Sequence, residues 1–157
     1  MSKETILILD NEHYIQWTLK TLLEGEGYTV LSSDSILKAL HMCTENEVAC
    51  LITEFWIDNF CTVGVVQQLR KRYPEVYIMV LTSKELNGER YEEILNAGVD
   101  DLFKKPFPAK KILLHLKKGL KQRHIAIQKK RLEQELDRID HRRHMVRISS
   151  RERSLPL

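Results

Sequence analysis

The chain is sparing with the residues that cross-link, break or coordinate. It has three cysteines, Cys43, Cys50 and Cys61. Their number is odd and their spacing fits no metal finger, so a disulfide framework is not expected, and a reducing, cytoplasmic setting is. Apolar runs reach about seven residues, against the ~20 a membrane-spanning helix needs. The opening Met1-Ser2-Lys3-Glu4 lacks the basic-then-apolar pattern of a secretory signal. His124, His141 and His144 are too scattered for a structural metal site. Proline and glycine are few, 4 and 6 of 157 residues, and neither falls between Leu120 and Ser149, so nothing there breaks a helix. There are no repeats and no low-complexity tracts.

What is present is an ordinary apolar supply, 43% of the chain, and an uneven charge distribution. Residues 1–118 carry a balance of −3 and residues 119–157 a balance of +6, which together give the formal +3. An acidic domain with a basic tail is the expectation. We divide the chain into a domain over residues 1–122, a basic helical extension over 123–148, and a disordered end over 149–157.

The domain alternates strictly. Thr5–Leu9 reads as a strand ending in Asp10. Ile15, Leu19, Leu22 and Leu23 recur at helical spacing, with Trp17 off that stripe, and Gly25 and Gly27 close the helix. Tyr28–Leu31 is a second strand, and Ser33 and Asp34 can cap a helix through Ile36, Leu37, Ala39, Leu40 and Met42. Val48–Glu54 is a third strand, apolar on both faces until it ends in a carboxylate. Residues 55–60 read as a loop, and Val63, Val65, Val66 and Leu69 as a helix ending near Pro74. Val76–Leu81 is a fourth strand followed by Thr82. Tyr91, Ile94 and Leu95 lie on a helix stopped by Gly98, and Asp101–Phe103 is a weak fifth strand before Lys105-Pro106. Cys50 reads as core filler.

Five βα units in series predict a doubly wound α/β domain, with a parallel sheet and helices on both faces. Right-handed crossovers bring the carboxyl ends of strands one, three, four and five to one rim. Asp10, Asn11, Glu54, Thr82 and Lys105 all fall there, where parallel sheets build their sites.

At these residues the chain resembles the receiver domain of bacterial two-component response regulators. The resemblance covers residues 4 to about 122. It rests on Ile6–Glu12, Leu51–Glu54, Val80–Ser83 and Ala97–Phe107, in order and at the right separations. It implies a five-stranded sheet of flavodoxin-like order 2-1-3-4-5. It also implies a phosphate pocket, in which an acidic pair after strand one and an aspartate after strand three hold Mg²⁺. That aspartate accepts a phosphoryl group from a histidine kinase, while a hydroxyl after strand four and a lysine after strand five bind the phosphoryl oxygens. Asp10, Thr82, Lys105 and Pro106 match, the last through a bond that is usually cis in the family. Asn11 stands in place of the second acid, Glu54 in place of the phosphoacceptor, and Leu102 in place of the aromatic that moves on activation. Phe103, its neighbour, faces the other side of the strand.

The departures alter the expected chemistry. One extra methylene displaces the Glu54 carboxylate by more than about 1 Å, a misplacement that can cost ~100-fold in rate. Asn11 removes a full charge from the Mg²⁺ set Asp10, Asn11 and Glu54, which weakens a hard-cation site. Glu54 is therefore expected to act as a fixed anion toward Lys105 and Thr82, in a signalling module that works without phosphate, through protein contacts and dimerisation, and that is not an enzyme. Two alternatives stay open: a phosphoacceptor in a histidine-kinase phosphorelay, and the regulatory module of a DNA-binding transcriptional regulator. The expected partners are a histidine kinase or an output protein.

Pro108 is expected at the first turn of the last helix, whose packing stripe is Ile112, Leu113, Leu116 and Leu120. Farther on, Leu132, Leu136, Ile139 and Val146 form a heptad-like seam, interrupted by Lys129 and Arg143. The upstream seam, through Leu113, Leu116, Leu120 and Ile127, is out of register with it by two residues. A short or partner-dependent coiled coil follows, and a homodimer through this helix or the fourth and fifth helix faces. The basic excess gives salt-sensitive, unspecific affinity for nucleic acid, but no recognition motif accompanies it.

Overall fold

The computed structural model describes residues 3–154. Its first unit runs up to Arg123 and its second starts at His124. Five strands form the main sheet: β1 (Thr5–Leu9), β2 (Thr29–Ser33), β3 (Val48–Glu54), β6 (Tyr77–Thr82) and β7 (Asp101–Lys104). All pairings are parallel and the order is β2-β1-β3-β6-β7, the expected flavodoxin-like order 2-1-3-4-5 of the main strands. The helices are α1 (His13–Gly25), α2 (Ile36–Glu45), α3 (Val63–Arg72), α4 (Gly88–Ala97) and α5 (Ala109–Arg153).

The apolar runs are long because both faces of the sheet are buried. Alternate strand residues serve opposite cores. Leu7, Leu9, Leu51, Ile78 and Val80 pack with Ala39 and Cys43 of α2, Val66 and Leu69 of α3 and Ile94 of α4. Ile6, Ile8, Cys50, Ile52, Met79 and Leu81 pack with Leu19 and Leu23 of α1 and Ile112, Leu116 and Leu120 of α5. Each fully buried aliphatic side chain contributes about 1.5–3 kcal/mol before chain entropy is counted. Cys50 is buried in this core, as expected.

Close approach explains one glycine. A Cβ at Gly119 would lie 2.4 Å from the Tyr77 ring, so α5 meets β6 across a residue with no side chain. Gly98 ends α4 at φ 99°, the left-handed region that favours glycine. Beside it the Arg70 guanidinium donates to the carbonyls of Gly98, Pro74 and Val76 and to Asp100 Oδ2, tying α3 to the entry of β7.

Four local expectations change. Residues 55–60 are not a plain loop: β4 (Trp56–Ile57) and β5 (Phe60–Cys61) pair as a small hairpin. Asp58 and Asn59 turn it with φ of 47° and 68°, the positive values that a two-residue turn requires. The cap of α2 is Ser35, which accepts from the Lys38 N–H, while Ser33 Oγ accepts from the Ser35 N–H. Pro108 precedes α5, its carbonyl accepting from Lys111 and Ile112. The end expected to be disordered from Ser149 is helical through Arg153; residues 155–157 lie outside the described residues. Among the described residues no helix is long and apolar enough to cross a membrane.

Candidate functional site

The carboxyl ends of the central strands carry the charged groups. Pairing of Leu9 with Thr53, Glu54 with Leu81 and Thr82 with Lys104 brings the ends of β1, β3, β6 and β7 level. Asp10, Glu54, Thr82 and Lys105 are all buried there. The Lys105 N–H donates to the Thr82 carbonyl at 2.8 Å, which extends the β6–β7 pairing one residue beyond the strand. The Lys105–Pro106 peptide bond is cis.

Lys105 Nζ is the centre of the cluster. It lies 2.7 Å from Asp10 Oδ2, 2.9 Å from Glu54 Oε2 and 3.1 Å from Glu12 Oε1. The side chains of Lys105 and Glu54 are only 6% and 5% exposed, so water screens their attraction little. Burial alone would lower the lysine's pKa, but the bonds to Asp10, Glu54 and Glu12 outweigh it and hold the ammonium above its ordinary 10.5. Burial pushes the Asp10 carboxyl above its ordinary 3.8 against the pull of Lys105, and the neighbouring Glu54 adds to that rise.

The backbone completes the cradle. Glu54 Oε1 accepts from the Phe55 N–H at 2.6 Å and the Trp56 N–H at 3.4 Å. Asp10 Oδ1 accepts from the Glu12 N–H at 2.8 Å. Thr62 Oγ1 donates to the Glu54 carbonyl at 2.9 Å and ties the residue just after the hairpin to the end of β3. The Trp56 ring, edge-on to Phe55, lies under two cations, Lys84 Nζ at 5.2 Å and the Arg90 guanidinium at 5.5 Å.

Of the residues expected at this rim, Asp10, Glu54 and Lys105 are joined directly. Thr82 is buried beside them, but its hydroxyl accepts from the Lys84 N–H at 3.3 Å. Asn11 is exposed and stands outside the ion cluster. Two participants escaped the sequence reading. Glu12 is the third carboxylate on Lys105; its acidic type two residues after Asp10 was the available signal. Thr62 left no signal, since a lone threonine before a helix reads as a cap, whereas here its hydroxyl serves the strand end. Leu102 is half-buried at the edge of the core shared by α2, α3 and α4, while Phe103 is buried in the opposite core against His115.

The donors do not fit a divalent cation as they are arranged. Both oxygens of Asp10 and of Glu54 already have partners, and the ammonium of Lys105 fills the position between the carboxylates. Among the described residues no group of three or more His, Cys, Asp or Glu side chains could hold a metal ion.

A five-stranded parallel sheet in this order, with an aspartate, a carboxylate and a lysine at the ends of β1, β3 and β7, defines a receiver. The profile of the response regulator receiver domain matches residues 6–117, and the chain belongs to that family. It is 30% identical over 122 residues to the transcriptional regulatory protein SrrA of Staphylococcus aureus, a match covering 78% of this chain and 49% of that protein. The chain thus spans about half the length of the curated relatives it matches. A CheY-like receiver domain protein from Methanospirillum hungatei superposes with a TM-score of 0.75 at 22% identity, covering 80% of this chain and 99% of that one. The receiver domain of an HD domain-containing protein from Pseudomonas fluorescens gives 0.76 at 21%, covering 82% and 94%. These two show the same fold.

Proposed function

We propose that this receiver signals without being phosphorylated, through protein contacts and self-association, and that it is not an enzyme. The observation that carries the reading is the buried ion pair of Glu54 Oε2 with Lys105 Nζ at 2.9 Å. In the family the lysine binds the oxygens of a phosphoryl group on the strand-three aspartate. Here a longer carboxylate already meets that lysine, so the chain carries its own anion at the site. The other Glu54 oxygen accepts from the Phe55 and Trp56 N–H groups, which supports the reading by holding the carboxylate turned toward Lys105. Asn11 and Leu102 support the same reading: one weakens Mg²⁺ binding and the other removes the aromatic that reports phosphorylation. The partner is a protein, either a histidine kinase or an output protein.

Incubation of the intact chain with acetyl phosphate and millimolar Mg²⁺, followed by intact-mass measurement, tests this. The expected result is no added phosphoryl group. A stoichiometric acyl phosphate on Glu54 would overturn it and favour the phosphorelay. The name and length of the SrrA relatives favour a second, compatible reading, that this receiver is the regulatory module of a transcriptional regulator. A beryllofluoride-activated NtrC4 receiver domain dimer is among the similar structures, with a TM-score of 0.71 at 20% identity.

A further inference from the structure

The unit from His124 onward is one continuous helical stretch to Arg153 that leaves Ile125, Leu132, Leu136, Ile139 and Val146 exposed. Ile125, Leu132, Ile139 and Val146 are spaced by sevens, so they lie along one seam position of a heptad. The other seam position, four residues after each, holds Lys129, Leu136, Arg143 and Ser150. A helix of this kind does not bury its own seam; a second helix must cover it.

We infer that the occupant is a second copy of the same helix running antiparallel, in a layer that sets Leu136 against Ile139 of the partner subunit. The inference rests on the self-association proposed above and adds its surface and direction. Charge decides the direction. In a parallel pair each seam position faces itself, so Lys129 would stack on Lys129 and Arg143 on Arg143. The flanking positions would then set Glu135 against Asp140 and Arg142 against Arg147, again like on like. The antiparallel layer separates them. Lys129 faces the partner's Val146. Arg143 faces the partner's Leu132, between that chain's Glu133 and Glu135, and Glu135 lies beside the partner's Arg142. Two like-charged contacts remain, Glu133 with the partner's Asp140 and Lys129 with the partner's Arg147, each made twice by the symmetry of the pair, against the paired opposite charges of Arg143 and of Glu135. The aliphatic stems of Lys129 and Arg143 cover the seam while their charged ends reach its margin.

Directed cross-linking in the full chain tests the inference. Cys43 and Cys50 are buried, so only Cys61 needs replacing, by Cys61→Ser. Lys129→Cys and Val146→Cys are then made as separate proteins; both sites are exposed on the helix, and circular dichroism checks that each folds. The antiparallel pair places 129 opposite 146 of the other chain, within disulfide reach. It holds like positions about 25 Å apart, 17 residues of helix rise. The expected result under oxidation is a covalent heterodimer from the mixture and loss of that band when either protein is oxidised alone. A covalent homodimer from Lys129→Cys alone overturns the direction. Dimers by light scattering with no cross-link overturn the seam as the interface. A strict monomer at high concentration removes the self-association itself.

Discussion

Lys105 is the residue on which the site turns. Three carboxylates share one ammonium, and two of them, Asp10 and Glu54, are buried. Lys105→Met would leave both buried anions without a counter-charge and cost about 3–5 kcal/mol, measured by urea unfolding at neutral pH. Glu54→Gln should cost less, because Asp10 and Glu12 still face the lysine. The pH dependence follows from the raised pKa of Lys105. Its folded value lies above the ordinary 10.5, so the folded state holds the proton more tightly. The stability it contributes is therefore full below about pH 10.5 and lost as pH rises through the folded value. The stability gap between wild type and Lys105→Met should be constant at neutral pH and narrow above that limit. A gap that widens with alkali would refute the assignment. Asp10, Glu54 and Lys105 were all legible as polar residues ending apolar runs. Glu12 was not, because its side chain enters the cluster through three dimensions while its sequence position reads as the first turn of α1.

At the scale of the element, α5 and β6 meet through Gly119. Alanine is normally favoured over glycine inside a helix by about 1 kcal/mol. Here a Cβ would enter the Tyr77 ring at 2.4 Å. That ring sits in the core, and its hydroxyl donates to Asp101 Oδ2, so it cannot swing away freely. Gly119→Ala should destabilise the protein by about 1–3 kcal/mol, the usual range for overpacking, and Tyr77→Leu should restore part of the loss in the double variant. Thermal unfolding of the three variants checks both signs. Strand and helix identities were readable because parallel strands buried on both faces are apolar throughout and helices alternate at 3.6. The β4–β5 hairpin was not, since Asp58-Asn59 lacks the glycine that usually marks such a turn. Cap positions moved by one or two residues because Ser33, Asp34 and Ser35 are all competent caps, and only the path of the chain selects Ser35.

For the whole molecule, the chain divides into one unit up to Arg123 and a second from His124. The seam residue Leu136 lies outside the receiver's cores, so Leu136→Asp should leave domain stability unchanged. A symmetric dimer loses two such side chains, each worth about 1.5–3 kcal/mol when buried. Self-association should therefore weaken by about 100-fold or more, read by light scattering or sedimentation across concentration. Unchanged association would place any dimer elsewhere, such as the α4 and α5 faces of the receiver.

Sequence alone determined the class of the protein. The alternation of apolar runs and helices points to a parallel sheet, whose shared carboxyl rim carries Asp10, Glu54, Thr82 and Lys105, and the resemblance of those segments to receiver domains supplied the strand order and the site. It also determined that Glu54 is a carboxylate one methylene longer than the family's aspartate. Only the tertiary structure decided where that carboxylate goes. Its two oxygens divide between Lys105 and the backbone N–H groups of Phe55 and Trp56, and that division depends on the hairpin, on Thr62 and on the buried reach of the side chain just past β7. Residue types fix which charges exist, but burial and distance decide which of them bind one another.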